Sequence, residues 1–268
     1  ARQIFDLGIS IAEGSSNLEE ETQFLAWASS WYSSNGYPIE AKDGYEKLAK
    51  VAKKLGRKRG IGASHENLGT VLWWLGAVNR SIHHYNKAKE IWEELGAYSD
   101  IVDVNVKIGK LLITSKSKEK AVEHLERAIE QSREMDLVTR EVYGLSAIGV
   151  AYAMVGRHED AKLQLEQAET RVHELKSDRA QATFYTDAIE AYAVMELSEA
   201  LKRIKKKWPF IKENAHPFDR TRVRVLRARL RFDLKENIEG AAKDAQTALK
   251  FYRARNVDSV WSREAEEI

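Results

Sequence analysis

The sequence predicts an all-α fold built from repeated pairs of antiparallel helices. The first observation is a 40-residue period in the pattern of small and bulky side chains. The second is that apolar positions within each period lie three, four and seven residues apart, the spacing of one helix face. The third is that only three prolines interrupt 268 residues. We therefore expect long helices and essentially no strand.

Each period contains two amphipathic helices, and small residues recur in both. In the first helix they are Ser29, Gly69, Gly109 and Gly149. In the second helix they are Ala41, Ser81, Ala121 and Ala161, in a series that starts at Ala1. Four residues further on stand Phe5, Tyr45, Tyr85, Leu125 and Leu165. Because small residues let paired helices approach closely, we expect these bulky side chains to fill the space between them.

The repeats can be followed in order along a single repeat domain of residues 1–268. After a half repeat at 1–16, four clear repeats are predicted at about 21–56, 61–96, 101–136 and 141–176. Two degenerate repeats at about 181–214 and 219–256 and a C-terminal tail or cap at 257–268 complete the domain. About thirteen helices are expected in total.

Local signals mark the ends of several helices. Leu55-Gly56 and Leu95-Gly96 are predicted to close two second helices, because glycine adopts the left-handed conformation that ends a helix. Ser16 and Asn17 precede an acidic run at capping distance. Arg229 stands where a small residue is expected, so either the register shifts locally or that helix packs more loosely.

The chain begins in the middle of a repeat. Ala1, Phe5 and Gly8 have the spacing of a second helix whose first helix is missing. Terminal repeats usually carry a polar capping face. We therefore expect the sequence to be part of a longer polypeptide.

The repeat unit resembles the tetratricopeptide repeat, whose pattern is W-x2-L-G-x2-Y, then A-x3-F, then P. Four consecutive repeats match the L-G-x2-Y and A-x3-F parts, although the period is 40 rather than 34 and the closing proline is missing. The resemblance implies an α-solenoid, a right-handed superhelix of antiparallel helix pairs. Long-period arrays of this kind are similar to the sensor arms of signal-transducing NTPases and to scaffold proteins.

The same resemblance implies a ligand-binding concave face lined by the first helix of each repeat. Carried over position by position, this face comprises Trp27, Ser30, Asn67, Thr70, Trp73, Trp74, Lys107, Lys110 and Tyr143. An alternative is that the tryptophans fill space between helices, as we expect for Trp92. Some family members grip a C-terminal carboxylate, but only Asn67 and Lys107 match that pattern here.

Composition excludes several kinds of chemistry. Without cysteine there is no disulfide, thiolate metal site or cysteine nucleophile, which fits a reducing cytoplasm. His83 and His84 are adjacent and diverge by roughly 100° on a helix, and the other five histidines lie in different repeats. No phosphate-binding loop, nucleophile elbow or zinc motif occurs. We expect no enzyme activity, no metal and no cofactor.

Positive charge is concentrated late in the chain. The segment from Lys202 to Arg231 contains twelve Lys or Arg residues and only two acidic residues, although the net charge of the whole chain is only +2. A possible anion-binding patch comprises Lys202, Lys206, Arg220, Arg224, Arg227 and Arg231. Interleaved Trp208, Phe210 and Phe218 would suit nucleic acid. The alternative is a solvated face offset by acids such as Glu190, Glu196 and Glu199.

We interpret the chain as a non-enzymatic recognition module, the sensor or scaffold arm of a larger signalling or regulatory protein in the cytoplasm. Its expected partner is a protein or peptide segment, with a small-molecule effector as a further class. The alternative function is a helical repeat that binds nucleic acid through the basic segment. No signal peptide or apolar run of membrane-spanning length occurs, so no membrane partner is expected.

Overall fold

The structure is a computed structural model that describes residues 2–14, 17–114 and 118–268. These residues form α-helices joined by short turns, with no strand among them. The helices are α1 Arg2–Gly14, α2 Leu18–Ser34, α3 Pro38–Lys54, α4 Lys58–Trp74, α5 Val78–Glu94, α6 Tyr98–Ile113, α7 Lys118–Glu134, α8 Val138–Met154, α9 His158–Arg171, α10 Asp178–Met195, α11 Leu197–Asn214, α12 Pro217–Asp233, α13 Ile238–Arg253 and α14 Val260–Glu267. A 3-10 turn, Val172–Glu174, follows α9. Ala1 and Ser16 lie outside the described residues.

The all-α fold of successive helix pairs is confirmed. The fourteen helices of the described residues are one more than the approximate number predicted. The additional helix is α14, in the segment predicted as a tail or cap. Ser259 begins it with a capping box, in which Ser259 and Ser262 each bond the other's backbone N–H. This pairing satisfies N–H groups that a helix start otherwise leaves unbonded.

Glycines close helices at regular intervals, as predicted. Gly56 and Gly96 adopt φ of 67° and 61°, directly after α3 and α5. Their amides bond carbonyls of the preceding helical turn. Asp136 occupies the corresponding position after α7 and adopts φ 51°, a conformation that costs an L-residue more than glycine. Asn17 caps α2 by accepting from the amides of Glu19 and Glu20.

The prediction that small residues face bulky ones across a helix pair is confirmed for α4–α5, α6–α7 and α8–α9. A Cβ atom added to Gly109 would lie 2.5 Å from Leu125 Cγ, and one added to Gly149 would lie 2.8 Å from Leu165 Cγ. Gly69 stands in the same relationship to the ring of Tyr85. The absence of a side chain at these positions is therefore what allows the paired helices to pack.

The helices form two compact units, Ala1–Val104 and Asn105–Ile268. In the first unit, buried side chains of α2, α3 and α4 form a shared core: Ala28, Tyr32, Ala41, Tyr45, Leu68 and Val71. In the second unit, α8 packs against α7, α9 and α10, and α12 packs against α10, α11, α13 and α14. Burial of apolar faces between neighbouring helices supplies the main stabilisation of each unit.

The register shifts by one residue at Arg229. Helix α12 begins at Pro217, one residue earlier than a 40-residue spacing from Asp178 requires. Ala228 is consequently the fully buried small residue, whereas Arg229 turns outward and bonds Asp233 at 3.1 Å. Of the two explanations left open by the sequence, the structure favours the register shift.

Candidate recognition surfaces of the two units

The nine residues expected on one binding face are divided between the two units. Trp27, Ser30, Asn67, Thr70, Trp73 and Trp74 belong to the first unit. Lys107, Lys110 and Tyr143 belong to the second.

An exposed aromatic pair stands out on α2. Helix α2 buries Leu25, Ala28 and Tyr32 on one face, so Trp27 points away from the core. The Trp27 side chain is 60% exposed, and the Phe24 ring, 37% exposed, meets it edge-on with centroids 5.9 Å apart. Water-exposed indole and phenyl rings at one place form an apolar surface that another molecule can cover.

The other predicted binding residues of the first unit differ in their exposure to solvent. Ser30 and Asn67 are exposed. Thr70 is half-buried, and its Oγ1 lies 3.0 Å from the Tyr85 hydroxyl. Trp73 and Trp74 are half-buried, and Trp74 packs against the core. Packing is therefore part of the role of Thr70 and Trp74.

Trp92 is a packing residue, as predicted. Its side chain is 2% exposed, and its indole N–H donates to Glu66 at 3.2 Å. The buried polar end of the indole is thus satisfied, which is the usual condition for a tryptophan in a core.

Two histidines meet between α4 and α5. His65 Nδ1 and His84 Nδ1 lie 2.9 Å apart, so one ring nitrogen must donate and the other must accept. Burial, together with the positive charge of neighbouring His65, His83, Lys87 and Arg80, lowers the pKa of His84 to about 4. Burial also lowers the pKa of His65. Both rings are therefore neutral near pH 7.

The contact of His65 with His84 does not follow from metal-ligand spacing along the sequence, and it was not predicted. The pairing of α4 with α5 could have indicated it. The same pairing brings Gly69 of α4 against Tyr85 of α5, and His65 and His84 lie on these two helices. Within the described residues, no cluster of three or more His, Asp or Glu side chains could hold a metal ion.

The second unit engages Lys110 in a buried ion pair. Lys110 Nζ donates to Asp187 Oδ2 at 2.7 Å, and the two side chains are 15% and 1% exposed. Lys107 and Tyr143 are half-buried and make contacts of their own. The Lys110 ammonium group is thus satisfied within the protein.

Asp187 is the centre of a wider charge network that joins α6, α8, α10 and α12. Ser146 Oγ donates to Asp187 at 2.9 Å, and Arg222 Nη2 donates at 3.1 Å. Arg222 also pairs with Glu190 at 2.9 Å. We refer to these residues, with Lys110, as the buried charge network.

Opposite effects act on the two acids of the buried charge network. Burial opposes ionisation of Asp187, but the charges of Lys110 and Arg222 and the hydrogen bonds of Lys110 and Ser146 keep its pKa below the ordinary value. Burial raises the pKa of Glu190, and Arg222 only partly offsets this. Asp187 is thus the ionised partner of the two buried cations.

The basic stripe on α12 is largely paired within the protein. Arg227 forms two hydrogen bonds with Asp244 at 2.7 and 2.6 Å, and Arg231 forms one at 2.8 Å. Arg224 lies 3.8 Å from the same carboxylate. Three of the four predicted stripe arginines therefore converge on one acid of α13.

An aromatic ring that could stack on a base is already covered. The guanidinium carbons of Arg224 and Arg227 lie 5.4 and 4.1 Å from the centroid of the Trp208 ring. Arg220, the fourth stripe residue, donates to the Lys212 carbonyl at 3.0 Å. These contacts occupy the basic groups and the ring that nucleic acid would use.

The rest of the basic segment has acidic neighbours. Lys202 pairs with Glu199 at 3.5 Å, while Lys206 is exposed. Glu199 also pairs with Arg203, and Glu190 pairs with Arg222. Two of the three acids named as possible counterions therefore do offset this segment.

Comparison with known proteins matches part of the chain to a repeat family. Residues 60–134 match the family model described as tetratricopeptide repeat. No curated protein sequence matches the chain. The fold is shared with solved proteins of low sequence identity, so the likeness shows the fold and not the function.

Three solved structures are similar over most of the chain. A Rap protein complexed with Competence and Sporulation Factor has 15% identity and a TM-score of 0.67, covering 100% of this chain and 78% of its own. Aspartyl phosphate phosphatase F from Bacillus subtilis has 13% identity and a TM-score of 0.68, covering 97% of this chain and 66% of its own.

The third is a Signal Transduction ATPase with Numerous Domains, with a tetratricopeptide repeat sensor, from Pyrococcus horikoshii. It has 14% identity and a TM-score of 0.57, covering 91% of this chain and 38% of its own. The predicted resemblance to tetratricopeptide repeat proteins is confirmed by the family-model match over residues 60–134 and by the shared helical-repeat fold. None of the described helices has the length and apolarity needed to cross a bilayer.

Proposed function

We propose that the chain is a non-enzymatic recognition module that binds a peptide or protein segment through the α2 surface around Trp27. In this proposal it is the sensor or scaffold arm of a larger signalling or regulatory protein in the cytoplasm. The observation that carries the proposal is the exposed Trp27–Phe24 pair, at a position that faces ligands in tetratricopeptide repeats.

Burial of exposed aromatic area would supply the binding free energy at this surface. A tryptophan can bury about 150–250 Å² when a partner covers it. Binding surfaces commonly depend on a few such side chains, each worth roughly 2 kcal/mol or more on truncation. Asn67 is exposed at the equivalent position on α4 and supplies a polar group that can orient a peptide backbone.

The similar structures support the sensor-arm part of the proposal. One is a Rap protein complexed with Competence and Sporulation Factor, and another contains a tetratricopeptide repeat sensor. The chain covers only 38% of the latter protein, so an arm of this size accompanies other domains there. An equivalent arrangement is what we propose for this chain.

The test is selection of peptides from a displayed random library, followed by calorimetry of the selected peptide. We expect Trp27→Ala to weaken binding of that peptide by about thirtyfold or more, as loss of a central aromatic anchor predicts. The matched control is Tyr98→Ala, which removes an exposed aromatic ring from the same unit but outside the proposed surface.

Circular dichroism should show unchanged helix content in both variants, because neither side chain is buried. If Trp27→Ala and Tyr98→Ala bind the peptide as tightly as the wild type, the α2 surface is not the recognition site.

A further inference from the structure

The second unit contains a pocket that the proposed function does not use. Its volume is about 590 Å³, within the range of roughly 300–1,000 Å³ that suits small ligands. The walls come from α8, α10, α11, α12 and the C-terminal helix α14. All of these helices belong to the second unit, whereas Trp27 belongs to the first.

The pocket wall is largely apolar. Leu226 and Leu230 form the inner side and are buried, while Val194, Leu197 and Val260 remain partly exposed. Trp261 contributes its ring, which lies 5.9 Å from the guanidinium carbon of Arg222. Such a wall favours an aliphatic or aromatic body, because covering exposed apolar side chains removes them from water.

The charged groups of the pocket are mainly acidic: Glu190, Asp233, Glu264 and Glu267 against Arg229 and Arg263. Both arginines are already paired, Arg229 with Asp233 at 3.1 Å and Arg263 with Asp258 at 2.9 Å. The net charge of the lining is therefore negative.

Among the acids that line the pocket in the described part of the chain, Glu264 is the one that is half-buried and has no ion-pair partner. Among the described residues, no ion pair or hydrogen bond involves its carboxyl group, although the side chain is half-buried. Burial raises the pKa of Glu264, and Glu190, Glu267 and Asp233 raise it further, whereas Arg229 lowers it. A positive group beside Glu264 would relieve this unfavourable environment.

We propose that the pocket binds a small organic cation with an apolar body. The ammonium or guanidinium group pairs with Glu264, and the apolar body covers Leu230 and Trp261. An anion is disfavoured by the surrounding carboxylates, and the volume fits one small molecule rather than a helix. The inference is independent of peptide recognition at Trp27, because the two sites lie in different units.

The test compares three probes with the same hydrocarbon chain by isothermal titration calorimetry: octylamine, octanol and octanoate. We expect octylamine to bind at least tenfold more tightly than octanol, since one charge-assisted contact is worth about that factor. Octanoate should show no binding. Equal binding of all three probes, or none by octylamine, would overturn the proposal.

Two substitutions on α14 test whether Glu264 is the residue that pairs with the bound cation. Glu264→Gln keeps the size of the side chain and should weaken octylamine binding by about tenfold. The matched control is Glu266→Gln on the same helix, because Glu266 is exposed and pairs with Arg253 outside the pocket. Equal weakening by both substitutions would contradict a specific contact at Glu264.

A third variant tests the cavity itself. Val194→Trp places a large ring at the partly exposed side of the pocket and should abolish octylamine binding without lowering the melting temperature. Undiminished octylamine binding by this variant would place the ligand elsewhere. Selective binding of a basic peptide without any binding of octylamine would assign the pocket to a protein partner and overturn the small-molecule proposal.

Discussion

The ammonium group of Lys110 lies 2.7 Å from the carboxylate of Asp187, although 77 residues separate them in the chain. Lys110 belongs to α6 and Asp187 to α10, and α8 contributes Ser146 to the same carboxylate. The first helices of three successive repeats, α6, α8 and α10, therefore each contribute one side chain to this buried contact. Lys110, which the sequence predicts to contact a ligand, is therefore paired with another residue of the protein.

Removing Asp187 should destabilise the second unit. Asp187→Asn removes the counterion of Lys110, whereas Arg222 keeps Glu190. Breaking a buried pair in this way costs about 3 kcal/mol or more. The measurement is urea unfolding followed by circular dichroism. Lys202→Ala is the control, because Lys202 is exposed and its pair with Glu199 should contribute less than about 1 kcal/mol. Equal stability of Asp187→Asn and wild type would show that the network contributes nothing net.

Acidification should destabilise the first unit through its histidine pair. The pKa of His84 in the fold is about 4, below the ordinary 6.5, so the unfolded chain binds more protons between these values. Stability is therefore lost as the pH falls through this window. We expect a lower melting temperature at about pH 5 than at about pH 7.

A variant separates this effect from general acid sensitivity. In His84→Gln, position 84 no longer titrates, so the melting temperature should depend less steeply on pH than in the wild type. The adjacent His83→Gln is the control, because His83 does not form the Nδ1 contact with His65. Identical pH profiles for wild type and His84→Gln would contradict the prediction.

A methyl group at Gly109 should be poorly tolerated. Its Cβ would lie 2.5 Å from Leu125 Cγ, so Gly109→Ala forces the two helices apart and costs about 1–3 kcal/mol. Thermal unfolding measures the loss, and adding Leu125→Ala should recover part of the strain. Gly14→Ala is the control, because nothing lies within 4 Å of its added Cβ. A fully stable Gly109→Ala protein would contradict this account of the helix contact.

The basic stripe should bind oligonucleotides weakly or not at all. Arg224, Arg227 and Arg231 already surround Asp244, so few guanidinium groups are available to phosphates. Fluorescence anisotropy with a labelled duplex should show no binding even at low salt. Binding with a log–log salt slope of about −3 to −4, as four arginine–phosphate contacts predict, would favour the nucleic-acid function instead.

Much of the fold follows from local patterns. Spacings of three and four residues predict the helices, and Leu55-Gly56 marks a helix end through the backbone freedom of glycine. The small-to-bulky pattern also predicts the contact of Gly109 with Leu125, because the four clear repeats use the same pair of positions. The candidate site is predictable only in part: Trp27 is identified by its place in the repeat, but its exposure is a property of the folded chain.

The periodic sequence therefore determined the helices, their pairing and the repeat class. Tertiary structure alone decided which charges meet: Lys110 with Asp187, the stripe arginines with Asp244, and the isolation of Glu264 beside an apolar pocket. The physical reason is that helix periodicity depends on neighbours within a few residues. Ion pairing and burial instead depend on distances between helices, which arise only when the repeats stack.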